Sequence, residues 1–361
     1  MIGHPSREWQ HYIICTAPVE GFMGIDEDRV RVPHRRIFEI NPQELCNFLE
    51  CEIANRQDGT VLNPPMIEAA IKRCREHIDV GISLPWAFYA IGMCHLLLKM
   101  PCLSLAAYAK AIDLSSADWM IEESRQGIKR LAVIRGELPG YEWVERLLLL
   151  ACATAGGLKS QKALQRIKKI TRSHKRISGP VTIVAGGCNP RIDKRLADYR
   201  RLLIEAFKDY TGTIISGGTT AGISGLVGDV QEQNKGDITT IGYVPRLTPA
   251  RATIDWRYSE IRKTHGPCFT PLEAVDYWSD LVASGMAPTN VKLIGIAGGQ
   301  VSATEYRIAL ALGASVGIVE GSGYEAATLV SDSDWNASPN LVRLTDDAVT
   351  VHTFLGRTFR N

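Results

Sequence analysis

The residues in this chain best suited to chemistry are glycines placed at the ends of apolar runs. Thr213-Ile214-Ile215-Ser216 is a short apolar strand that runs into Gly217-Gly218-Thr219-Thr220-Ala221-Gly222 and then into a helical pattern through Asp229. A Gly pair lets the backbone take positive φ and approach a ligand closely. The helix that follows offers unpaired N–H groups and the positive end of its dipole to an anion. The same grammar recurs three times. Gly186-Gly187 follows Val181 to Val184, Gly298-Gly299-Gln300 follows Lys292 to Ile296, and Glu320-Gly321-Ser322-Gly323 follows Ser315 to Val319. In an open parallel sheet such ends share one edge, where ligands bind at a topological switch point. The expectation is a common rim that accepts a phosphate-bearing, nucleotide-like ligand at Gly186, Gly187, Gly217, Gly218, Thr219, Thr220, Gly222, Gly298, Gly299, Gln300, Gly321, Ser322 and Gly323.

Charged side chains on that edge complete the candidate site. Arg191 follows the first Gly turn and Arg246 follows Tyr243-Val244-Pro245; Arg257 and Arg262 fall in the irregular segment 246–266 with Trp256, Tyr258 and His265. Arginine makes bidentate phosphate contacts, and Arg246 is the first choice. Trp256 reads equally as a base-stacking platform or a core residue, and His265 reads as structural. Glu305, in the first turns of a helix, has three readings: a catalytic carboxylate for N-glycoside cleavage, a ribose-hydroxyl acceptor, or a complement to the helix dipole. Glu320 can read a ribose or cap the next turn.

The composition narrows the class. A chain of 361 residues suggests two domains, with a net charge of +2 that by itself gives no case for nucleic acid. No apolar run reaches the roughly 18 residues of a membrane-spanning helix, and the N-terminus has no apolar signal core. Nine cysteines without a Cys-x-x-Cys pair suggest free thiols, no metal site and a cytoplasmic location.

In chain order, residues 1–60 carry little that can be read: Thr16 to Arg36, rich in charge, Gly and Pro, reads as an irregular extension or loop, and Asn41-Pro42 as a helix start. Asn63-Pro64-Pro65 opens a second helix. Ala87 to Ser116 holds two helices broken at Met100-Pro101, with Gly92, Ala107 and Ala111 suited to close antiparallel packing. This unit resembles a tetratricopeptide repeat through Gly92 and Tyr108 to Leu114. The helical N-terminal region therefore reads as a TPR-like domain over 1–176, either a packing and oligomerisation module or a groove for an effector protein. Its last stretch, 159–176, carries eight Lys or Arg and no acid, and reads as a solvated helix face or linker. The absence of interleaved aromatics argues against nucleic acid. After Ser178-Gly179-Pro180, strands and helices alternate over 177–361, which predicts an α/β, doubly wound parallel sheet.

The second half also resembles a known family. Gly217 to Ile223 with Val227-Gly228, and Val316 to Ala327, resemble the cytosolic N-terminal region of melastatin-type transient receptor potential channels. Pro271-Leu272-Glu273 and Tyr277 to Leu281 resemble the prokaryotic LSDAT branch of that domain. These domains belong to the SLOG superfamily, named for DNA-processing protein A and the Lonely-guy enzymes, and the resemblance covers 181–335. It implies a Rossmann-like nucleotide pocket that senses a nucleotide or NAD-derived signal, typically in bacterial defence or signalling. Lonely-guy members instead cleave nucleoside monophosphates with a Pro-Gly-Gly-x-Gly-Thr-x-Glu-Glu motif. Here Ala297 to Glu305 is the corresponding stretch: Glu305 matches the second carboxylate, Thr304 replaces the first, and the inner Gly-Thr pair is missing.

Overall fold

The computed structural model describes residues 41–55, 64–135, 138–156, 160–188, 190–234, 236–249, 252–266 and 268–356. The sequence reading of 1–40 therefore lies outside the described residues. The chain forms two compact units, one of Met1–Ser115 with Glu122–Glu145, the other of Ser116–Ile121 with Arg146–Asn361.

The described part of the first unit is helical. Its elements are α1 (Pro42–Asn55), α2 (Pro64–Asp79), α3 (Trp86–Leu97), α4 (Pro101–Asp113) and most of α5 (Asp118–Arg135). Asn41 caps α1 by accepting the Glu44 N–H at 3.0 Å, as its side chain type favours. Pro101 opens α4 at the expected break. Gly92 earns its place by contact: a Cβ there would lie 2.6 Å from the Tyr108 ring, so only glycine lets α3 and α4 approach this closely. Leu49, Ile67, Ile91, Cys94 and Leu131 form the core.

The second unit holds α6 (Tyr141–Thr154) from Arg146 onward, then α7 (Ser160–Ile170) and a seven-stranded sheet. In α7 the 3.6-residue period turns Ala163 and Ile167 inward and leaves Lys162, Arg166, Lys168 and Lys169 in solvent. The basic run after it is tied down rather than loose. His174 Nδ1 lies 2.8 and 2.9 Å from the two Asp280 carboxylate oxygens, and the Lys175 carbonyl accepts from Arg262 at 2.9 Å. Ile177 N–H donates to Ser284 Oγ at 2.9 Å.

The strands are β1 (Val181–Gly186), β2 (Gly212–Ser216), β3 (Ile238–Pro245), β4 (Glu260–Thr264), β5 (Val291–Ile296), β6 (Ser315–Val319) and β7 (Leu341–Leu344). Their order is β4-β3-β2-β1-β5-β6-β7 and every pairing is parallel. Near-continuous Val/Ile runs suit strands buried on both faces. The helices between them are α8 (Pro190–Asp193), α9 (Leu196–Ala206), α10 (Gly222–Gln233), α11 (Leu272–Ala283), α12 (Gln300–Ala311), α13 (Tyr324–Ser331) and α14 (Ala348–Gly356). The chain winds outward from β1 to β4, then crosses through α11 to β5 on the other side of β1. The sheet is thus Rossmann-like and doubly wound, with its switch point between β1 and β5.

Two elements depart from the sequence expectation. Segment 246–266, expected to be irregular, ends in strand β4. Its Glu-Ile-Arg-Lys-Thr sequence hides the strand because an edge position tolerates polar residues, while Arg262 points inward, nearly fully buried. There it donates to Asp280 at 2.7 Å and to Glu260 at 2.8 Å, and Tyr243 also donates to Asp280. Arg262 is therefore committed to structure and is no phosphate ligand. Helix α14, absent from the sequence expectation, is capped by Asp347, which accepts the Thr350 N–H at 2.8 Å, and buries Val351, Phe354 and Leu355.

Candidate functional site

The four Gly-ended strands are neighbours in the order β2-β1-β5-β6, all pointing the same way, so their tips form one continuous rim. The tips also touch. Ile223 N–H donates to the Gly187 carbonyl at 3.2 Å, joining the β2 and β1 ends. A Cβ on Gly187 would lie 3.2 Å from Gly298 Cα, joining β1 to β5. Ala297 N–H donates to Ser322 Oγ at 3.0 Å and Ala326 N–H to the Ala297 carbonyl at 2.9 Å, joining β5 to β6.

The β2–α10 turn, the strongest glycine signal in the sequence, is largely filled by its own chain. Thr219 N–H donates to Ser224 Oγ at 3.0 Å and Thr220 N–H to the Thr253 carbonyl at 3.0 Å. The Gly218 carbonyl accepts from Asp255 N–H at 3.0 Å, and Thr219 bridges Ile254 antiparallel. Residues 252–258 thus lie across the turn as a strap. Arg257 rivets it, donating to Asp255 at 2.6 and 2.9 Å, to the Gly225 carbonyl at 3.0 Å, and to Asp229. The Tyr258 hydroxyl donates to the Ser224 carbonyl at 2.7 Å. So Arg257, a sequence candidate for phosphate, is spent on the strap. Of the Gly217-Gly218 pair only Gly218 takes positive φ, at 67°, and Gly222 does so at 58° with the Gly187 carbonyl against it.

The β5–α12 turn is the opposite case. Ala297 and Gly298 are both left-handed, at φ 56° and 86°. A non-glycine residue there costs about 1–3 kcal/mol, the kind of strain that gathers at functional sites. Gly299 and Gln300 are exposed, a Cβ on Gly299 would meet nothing within 4 Å, and Gly299 N-caps the twelve-residue α12. The first-turn N–H groups of a helix have no intrahelical acceptor, and those of α12 follow an exposed Gly299-Gln300 cap beside the switch point. On β6, Gly321 and Gly323 are left-handed at 69° and 79° and equally open. Ser322 is buried, its hydroxyl donating to Val319 at 2.7 Å, which makes it a brace between tips. Glu320 is exposed.

Arg246 is exposed at the end of β3, on the same edge, with no ion pair among the described residues. The backbone of Arg191 opens α8 after the β1 tip; its side chain lies outside what is described. His265 is exposed. Trp256, left open between stacking and core, is 79 % exposed. Sequence reasoning missed Arg195, in the turn between α8 and α9. It donates to the Gly321 carbonyl at 2.9 Å and pairs with Asp346. No spacing signal marks it, because both partners lie more than a hundred residues away.

Glu305 is half-buried in the second turn of α12. Burial, reinforced by the Glu273 carboxylate, pushes its carboxyl up to about 8, so it keeps its proton at neutral pH. Glu273, in the first turn of α11, is itself raised by burial and accepts from Thr264 Oγ1 at 2.6 Å and Thr270 N–H at 2.7 Å. The buried Tyr277 hydroxyl approaches Glu305 without completing a hydrogen bond, and among the described residues it has no partner. No cluster of three or more His, Cys, Asp or Glu suited to a metal occurs among the described residues, and no helix among them is long and apolar enough to cross a membrane.

No protein-family model and no curated protein matches the chain. Among solved structures it is similar to TM1055, a structural-genomics target solved by X-ray. The two share 17 % identity at a TM-score of 0.35, over 49 % of this chain and 98 % of that one. A likeness of this size carries no functional argument.

Proposed function

We propose that the rim formed by β2, β1, β5 and β6 binds a nucleotide or NAD-derived ligand of ADP-ribose-like or cyclic type. The protein is then a nucleotide-signal sensor of SLOG type, LSDAT branch, acting in a bacterial defence or signalling system. The observation that carries this reading is the junction of four glycine tips at one switch point, with the open N-terminus of α12 in the middle. An anion laid there meets free N–H donors and a favourable dipole. The site residues are Gly186, Gly187, Gly298, Gly299, Gln300, Gly321 and Gly323, with Arg246 as an outlying cation. The TPR-like helical region, up to about residue 176, passes binding on to an effector protein or a homo-oligomer contact in the cytoplasm. Calorimetry against ADP-ribose, its cyclic forms, cyclic dinucleotides and AMP tests the reading; it predicts micromolar or tighter binding of at least one, and fails if none binds at high micromolar concentration.

One observation favours a second reading. A carboxyl that holds its proton at neutral pH, as Glu305 does, suits a general acid, and N-glycoside cleavage needs one to help the base leave. In that case the protein is a nucleotide N-glycosidase or phosphoribohydrolase. Release of free base from NAD or nucleoside monophosphates, abolished in Glu305→Gln, decides for it; binding without turnover decides for the sensor.

A further inference from the structure

The rim has an aromatic end and a cationic end. At the β2 end the strap holds Trp256 out in solvent while fixing both its neighbours. Asp255 is 2 % exposed and bonded to Gly218, and Arg257 makes its several bonds to Asp255, Asp229 and Gly225. A rigid backbone presenting an indole at 79 % exposure is preorganised for a flat partner, because little freedom remains to be lost on contact. Among the described residues no ring packs against Trp256; its immediate backbone is instead stitched to the glycine turn of the rim.

At the β6 end, Arg195 donates one guanidinium nitrogen to the Gly321 carbonyl at 2.9 Å, which sets the group at the tip of β6. Its other terminal nitrogen meets Asp346, in an ion pair whose members are 39 % and 32 % exposed. Such solvent-facing pairs contribute little and exchange readily. Arginine has five N–H donors, so the group keeps donors to spare and can trade Asp346 for a stronger anion without leaving Gly321. Between the two ends lie β1 and β5. With strands about 4.8 Å apart, the rim spans about 14 Å, the scale of a base joined to a diphosphate rather than of a lone base or a lone phosphate.

Resting on the nucleotide reading above, we propose that the ligand lies along the rim with its base stacked on Trp256 and its phosphates on Arg195, so that these two residues, neither marked by a glycine motif, are binding residues. Asp346 then acts as the placeholder that the phosphates displace.

The test uses the full chain and ADP-ribose as probe, read by calorimetry and by quenching of tryptophan fluorescence. Trp256→Ala and Arg195→Ala are each expected to weaken binding about tenfold or more, because base–aromatic stacking and bidentate phosphate contacts are contributions of that order. Trp256→Phe should retain most of the affinity but lose most of the quenching. Asp346→Asn, which removes the competing anion, should tighten binding severalfold. Thermal melting of each variant checks that the fold survives. Wild-type affinity in either Trp256→Ala or Arg195→Ala overturns this inference and leaves the nucleotide reading standing. Failure of the wild-type protein to bind any nucleotide probe instead removes the nucleotide reading itself, and this orientation with it.

Discussion

Two turns of this protein look alike in sequence and differ in what they can do. Ser216-Gly217-Gly218-Thr219 and Ile296-Ala297-Gly298-Gly299 both end an apolar strand in a glycine pair before a twelve-residue helix. The first has spent its donors: Thr219 and Thr220 bond within the chain, and a strap riveted by Arg257 lies across it. The second is strained, and its Gly299 cap is exposed with nothing within 4 Å of a Cβ there. A glycine motif thus reports where a backbone can come close to something, and only the surrounding chain decides whether that something is a ligand or the protein itself.

The comparison can be broken by substitution. The largest effect is expected at Gly222, where positive φ combines with a Cβ position 2.4 Å from the Gly187 carbonyl. Gly222→Ala should cost about 3 kcal/mol or more, seen as a lowered midpoint in urea unfolding. A loss below about 1 kcal/mol means that the closed turn is not held as described. Next comes Arg257→Ala, which leaves the buried Asp255 carboxylate with a backbone N–H but no cation beside it; it should cost about 2–3 kcal/mol and raise hydrogen exchange at Thr220. An unchanged Thr220 exchange rate argues that the strap does not depend on its rivet.

Smaller effects sharpen the contrast on the open side. Glu305→Gln probes the proton held under the β5 tip. The carboxyl is raised in the fold, so its contribution to stability is complete below its unfolded value near 4.5 and is lost as pH rises through about 8. The wild-type melting temperature should therefore fall between pH 6 and 9 by a few degrees more than that of Glu305→Gln. Parallel curves contradict the assignment. Gly299→Ala is expected to change stability by less than about 0.5 kcal/mol, because its Cβ meets nothing and the site is exposed. Yet it should weaken ADP-ribose binding about tenfold by crowding the anion. Equal losses of stability at Gly299 and Gly222 erase the distinction between the turns.

What was legible in the sequence were the features governed by local periodicity. Strand–helix alternation, the four glycine tips and the break at Pro101 all depend on residues a few positions apart, and each appears in the structure. What was not legible depended on distant pairing. Arg257 looked like a phosphate ligand because two of its partners, Asp229 and Gly225, lie about thirty residues upstream, although Asp255 sits only two residues away. Arg262 looked free because Asp280 sits one helix away. Arg195 drew no notice since Gly321 and Asp346 reach it only after the sheet closes. Glu305 was visible as a carboxylate, but its retained proton comes from burial in the folded chain and from the Glu273 carboxylate on another helix. Spacing marked where backbones converge; charge partners required the fold.

The account rests on the open β5 and β6 tips, not the closed β2 turn, receiving the ligand's phosphates. Hydrogen–deuterium exchange with and without saturating ADP-ribose tests this most directly, by following amides 298–302 and 217–222 separately. The account predicts protection of Gly299 to Ser302 with little change from Gly217 to Gly222. Protection confined to 217–222, with 298–302 exchanging as before, contradicts it.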